Sequence, residues 1–89
     1  MNTSPSSART INVALRSSLA ARIGRPRATV QLPAAATAGD LRAALADAHP
    51  DAAPLIERAL VADGDRILGR TDPLSSADNL ALIPPVSGG

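Results

Sequence analysis

The sequence predicts a small α+β domain in which one face of a β-sheet packs on a single main helix. Three observations carry that expectation. Apolar residues alternate with polar or small ones at a period of two in several short segments, from Ile11, Val13 and Leu15 near the start to Leu80 and Leu82 near the end. Between them Leu41, Ala44, Leu45 and Ala48 recur at helical spacing behind a capping signal. The hydrophobic content of 45% and formal net charge of +1 over 89 residues belong to one globular domain rather than to a disordered chain.

Each element follows from local chemistry. "MNTSPSSAR" is small, polar and interrupted by proline, and reads as a disordered leader over residues 1–9. From Thr10 the Ile11-Val13-Leu15 alternation predicts a strand with one buried face. In "SSLAARIGRP", Leu19 and Ile23 stand four apart ahead of Gly24, which predicts a helical turn closed by a glycine. Ala28, Val30 and Leu32 restore the alternation until Pro33 stops it, giving a second strand antiparallel to the first. Thr37 and Asp40 have the spacing of a capping box for the main helix, which Pro50 ends near His49. Asp51 is placed to cap a short second helical turn carrying Leu55 and Ile56, with Pro54 tolerated in its first turn. "RALVADGDRIL" predicts two short strands around an Asp63-Gly64 hairpin turn, and Asp72-Pro73 a further turn. "NLALIP" is the last strand, with Leu80 and Leu82 on one face and Ala81 and Ile83 on the other. The domain is expected to span residues 10–83, followed by an extended tail over residues 84–89.

Composition excludes much of the usual chemistry. The chain has no cysteine, so it offers no disulfide, thiolate metal ligand or catalytic thiol of its own. With aromatic content of 0% the core must be built from Leu, Ile, Val and Ala. All nine basic residues are Arg; they are scattered among eight acidic ones, form no basic block and have no aromatic neighbours for base stacking, which argues against nucleic-acid binding. No apolar run has the length of a membrane span, and the Ser-rich start lacks the features of a signal peptide, so a cytoplasmic location is expected. His49 is the sole histidine and cannot anchor a zinc site alone; Ser87 has no histidine to activate it; Asp63 and Asp65 flank a turn, where Asp serves turn formation. The glycines at 24, 39, 64 and 69 are isolated and read as cap or turn residues rather than as a phosphate loop.

The group left over is the C-terminal carboxylate. "LALIPPVSGG" passes from a strand into Pro84-Pro85, whose restricted φ favours an extended segment, and ends on Gly88 and Gly89, which without Cβ atoms can thread a narrow channel. Terminal glycines are also what a frayed end or an expression scar would show. The six residues from Pro84 to Gly89 reach about 20 Å when extended, enough to enter a partner's pocket while the body docks outside. A carboxylate is a poor acyl donor until it is activated, commonly as an acyl adenylate made by another protein.

This ending resembles that of the ubiquitin-like sulfur carriers (MoaD/ThiS-like), most closely the small subunit of molybdopterin synthase. "TAGDLRAALADAHP" is similar to the family's helix, "LVADGDRIL" to its hairpin and "DPLSSADNLALIPPVSGG" to its closing segment. The sequence departs from the family at Ala14, Leu15 and Ile83, where aromatics are common, and at Ala77-Asp78-Asn79, which stands where Gly-Asp-Glu is common. The resemblance implies a β-grasp fold with a mixed sheet of four to five strands on one main helix. It further implies that an E1-like adenylating enzyme consumes ATP to activate Gly89, and that a sulfurtransferase relay converts it to a thiocarboxylate. The tail then enters the large subunit of molybdopterin synthase and donates sulfur to a pterin precursor in molybdenum cofactor synthesis. On this view Gly88 and Gly89 are the reacting end, Ile83, Pro84, Pro85, Val86 and Ser87 dock the partner, the chain binds no cofactor or metal of its own, and catalytic side chains come from the partner. A carrier for thiamin, cysteine or natural-product synthesis, a ubiquitin-like protein modifier, and a non-covalent binding module are the competing readings.

Overall fold

The computed structural model describes residues 8–74 and 79–84. Five strands form one mixed sheet: β1 (Ala8–Leu15), β2 (Arg27–Pro33), β3 (Leu60–Asp63), β4 (Arg66–Leu68) and β5 (Leu80–Ile83). Their spatial order is β2-β1-β5-β3-β4, so the last strand lies in the middle. It runs parallel to β1 and antiparallel to β3, while β1–β2 and β3–β4 are antiparallel pairs. Helices α1 (Ser17–Ile23), α2 (Ala38–Ala48) and α3 (Ala53–Arg58), with a 3-10 turn over Pro50–Ala52, are the other elements among the described residues.

The alternation in β1 does what a period of two requires. Ile11, Val13 and Leu15 are buried against the helices, and their register partners on β5, Leu80 and Leu82, fall on the same face. Leu41 and Leu45 of α2, Leu19 of α1 and Ile56 of α3 close the core over that face, with Val61, Leu68 and Leu74 at its margin. Every buried residue among those described is apolar. No helix in that set is long and apolar enough to cross a membrane.

The capping box at α2 forms as its spacing predicts: the Asp40 N–H donates to the Thr37 hydroxyl at 3.2 Å, and the Thr37 N–H to the Asp40 carboxylate at 3.0 Å. Two more first-turn donors find partners in the segment that follows β4. Ala38 N–H donates to the Asp72 carbonyl and Gly39 N–H to the Arg70 carbonyl, both at 2.9 Å, and Leu74 N–H returns to Ala36. Arg42 leaves the exposed side of α2 and donates to the carbonyls of Glu57 and Ala59, satisfying the C-terminal end of α3.

Several local expectations are corrected. Strand β1 begins at Ala8, two residues before Thr10, because Ala8 and Arg9 pair with Pro33 and Leu32 on the long antiparallel partner. The predicted leader otherwise lies outside the described residues. Asp51 caps nothing: it sits inside the 3-10 turn, and α3 starts from Ala52 without a side-chain cap. The hairpin turn residues are Gly64 and Asp65, since Asp63 still pairs with Arg66; Gly64 supplies the positive φ, at 62°. Gly39 is neither cap nor turn. It lies in the first turn of α2, where an added Cβ would come within 3.0 Å of the Arg70 carbonyl oxygen, so the absent side chain permits a close approach of two segments. Ala48 is exposed because the helix ends there, beyond the core.

Candidate functional site

The site begins where β5 leaves the sheet. Its last hydrogen-bonded contact toward β1 is the Arg16 N–H donating to the Leu82 carbonyl at 3.2 Å, and toward β3 its last pair is Ile83 with Leu60. Pro84 follows with no N–H to extend the ladder, so the strand stops and the chain is released from the middle of the sheet. Ile83 and Pro84 are both half-buried. The other residues assigned to the reacting end and to docking, Pro85, Val86, Ser87, Gly88 and Gly89, lie outside the described residues, as does the turn at Ala77.

Around this exit the outer sheet face, the one turned from the helices, carries an apolar patch. Register pairs place Ile83 beside Leu60 and align Ala14, Ala81, Ala62 and Ile67 across four strands. Among the described residues Leu60 and Ile67 are the large hydrophobic side chains most open to solvent, at 48% and 54% exposure, while Ala62 and Ala81 are buried. The strand alternation of "LVAD" and "RIL" already assigns Leu60 and Ala62, and then Ile67, to single faces. What the sequence does not disclose is that β3 lies directly beside the strand that carries the tail, with β4 next beyond it.

On the β1 side of the patch stand Arg16 and Arg27. Together with Gly64, Asn79 and Leu80 they line a shallow depression floored by Ala14 and Ala81. Arg16 is extended, and Ser17 after it adopts φ +48°, a left-handed conformation that turns the chain from β1 into α1. His49 stands at the end of α2, its N–H donating to the Leu45 carbonyl, and among the described residues no cluster of His, Asp and Glu could hold a metal ion. Asp63 and Asp65 remain hairpin residues.

Comparison with known proteins agrees with this geometry. The model of the ThiS family matches residues 11–89, nearly the whole chain and through the final Gly-Gly. Among solved structures, the crystal structure of SAMP1 from Haloferax volcanii is 28% identical with a TM-score of 0.74, over 91% of this chain and 100% of that one. A crystal structure of small archaeal modifier protein 1 from the same organism is 27% identical with a TM-score of 0.73, covering 86% of this chain and 98% of that one. The solution structure of the H. volcanii HVO 2177 protein, 19% identical with a TM-score of 0.69, covers 100% of this chain and 94% of that one and speaks for the fold alone. No curated protein matches the chain. The sheet order, the central last strand and these neighbours establish the ubiquitin-like β-grasp fold.

Proposed function

The chain belongs to the ThiS family of ubiquitin-like sulfur carriers, and from that premise we propose that it carries sulfur as a thiocarboxylate on Gly89. The observation that carries the reading is that the family match runs through Gly88 and Gly89, while β5 releases the tail beside an exposed apolar surface. In the proposed sequence an oxygen of the Gly89 carboxylate attacks the α-phosphorus of ATP on an E1-like adenylating enzyme, and pyrophosphate leaves. The terminal sulfur of a cysteine persulfide on a relay protein then attacks the acyl carbon and AMP leaves. A second thiol of the relay attacks the other sulfur of the acyl disulfide, so that a relay disulfide forms and the Gly89 thiocarboxylate is released, all of these sulfurs coming from outside a chain that contains no cysteine. Its own contribution is positional. The sheet face around Ile83, Leu60 and Ile67 docks the partner, Pro84 and Pro85 limit the tail's freedom, and the two glycines pass where a side chain would not.

The recipient we propose is the pterin precursor of molybdopterin, with this chain as the small subunit of molybdopterin synthase. Support comes from the Pro-Pro-Val-Ser-Gly-Gly ending, which resembles that subunit. A second reading is favoured by the solved neighbours described as archaeal modifier proteins: attachment of Gly89 to an amine of a target protein. Intact mass after coexpression with the cognate adenylating and sulfur-transfer proteins separates the two. A gain equal to replacing one oxygen by sulfur is expected; recovery of the chain fused to other proteins, with no such gain, favours the modifier reading. An unchanged mass with no conjugates overturns both. Reconstitution with the large subunit and the pterin precursor tests the recipient.

A further inference from the structure

Arg16 and Arg27 face the same depression as Ala14 and Ala81, on the sheet face that holds Ile83, Leu60 and Ile67. Both side chains are exposed. The strand residues of that face supply no opposing charge. Thr10, Asn12, Thr29 and Gln31 are neutral, and Asp63 and Arg66 belong to the opposite register because Asp63 pairs with buried Leu80. A chain of formal net charge +1 thus concentrates two guanidinium groups at one edge of its apolar patch. Guanidinium is weakly hydrated and presents a planar fork that matches carboxylate geometry, so an arginine beside an apolar surface is suited to an ion pair across an interface. Such pairs at a rim act mainly on encounter rate and on the choice of partner.

We propose that the protein that docks on the outer sheet face presents carboxylate side chains to Arg16 and Arg27, and that this charge match selects the partner. The inference rests on the proposed reading of that face as the docking surface for the adenylating enzyme. Leu60, Ile67 and Ile83 supply the apolar centre of the contact, and the two arginines fix its orientation on the β1 side. The occupant is a protein surface with an apolar centre and an acidic edge.

The test is steady-state adenylation by the cognate E1-like enzyme, with the carrier titrated at about 0.05 M and about 0.5 M salt, a range over which screening of exposed charges becomes nearly complete. Wild type is compared with Arg16→Glu/Arg27→Glu, Arg16→Lys/Arg27→Lys and Leu60→Asp. The Glu double variant is expected to raise the carrier concentration for half-maximal rate about tenfold or more at low salt, with the saturating rate unchanged. At high salt the gap should narrow to about twofold, and the Lys variant should stay within about threefold of wild type, because it keeps the charge. Both arginines are exposed, so thermal unfolding should be unaltered in all the Arg variants. If the Glu variant matches wild type at both salt concentrations while Leu60→Asp raises the half-saturating concentration, the charge match is overturned and the docking face stands. If Leu60→Asp also has no effect, the docking face itself falls, and with it this inference.

Discussion

At the scale of single residues, neighbours in β5 have opposite tasks. Leu82 is fully buried between β1, β3 and the helices, whereas Ile83, the next residue, turns to the outer face beside Leu60. Leu82→Ala should cost about 2–5 kcal/mol of stability, because it leaves a cavity in a fully buried part of the core. Ile83→Asp should change the urea unfolding midpoint little and weaken binding to the adenylating enzyme and the large subunit. Equal destabilisation by the two would show that both side chains serve the core. Gly88→Val should likewise leave unfolding unchanged while abolishing or severely slowing thiocarboxylate formation, read by intact mass, because a β-branched side chain fills the channel the tail must pass. Normal conversion of the Val variant would remove the steric role assigned to Gly88.

At the scale of elements, α2 is held at its N-terminal end as much as by its apolar stripe. Thr37 and Asp40 close the capping box, and the 69–74 segment brings the carbonyls of Arg70 and Asp72 to the first-turn donors. At Gly39 these two segments approach closely. In an isolated helix Gly→Ala would gain about 1 kcal/mol. Here a Cβ at residue 39 would stand 2.8 Å from the Arg70 Cγ and 3.0 Å from its carbonyl oxygen, so the segments must separate and the Gly39–Arg70 hydrogen bond lengthen. We expect Gly39→Ala to lower stability by about 1–2 kcal/mol in urea unfolding, the crowding outweighing the propensity. A stabilised variant would mean that the 69–74 segment yields freely.

For the whole molecule, the central position of β5 brings Pro84, the start of the tail, to the face proposed for docking. A chain released between two paired strands starts from a fixed point and a fixed direction, and Pro84 continues that restriction past the last hydrogen bond. On the proposed function, tail insertion and body docking form one binding event whose ordering cost a stiff root of the tail lowers. Pro84→Gly/Pro85→Gly should weaken the complex with the large subunit in calorimetric titration by about tenfold, leaving the unfolding midpoint of the free domain nearly unchanged. Equal affinities would show that stiffness at the tail's root contributes nothing.

The sequence by itself determined the local elements and the faces they bury. Alternation in β1, β2 and β5, the Thr37-Asp40 box and the glycine that closes α1 are consequences of near-neighbour sterics and hydrogen bonding, and each is legible in a window of a few residues. The end proposed to react was singled out by an unusual run of prolines and glycines in a chain with little other chemistry, and it lies outside the described residues. Strand order was decided only by the tertiary structure. Nothing local says that β5 inserts between β1 and β3, because pairing depends on which edges the helices leave open once the apolar faces are buried together. That insertion puts Leu60 beside Ile83 and brings Arg16 and Arg27 to the margin of the same face. The crowding at Gly39 was likewise hidden, since the segment it meets is 31 residues away along the chain, from Gly39 to Arg70, and adjacent only in the folded molecule.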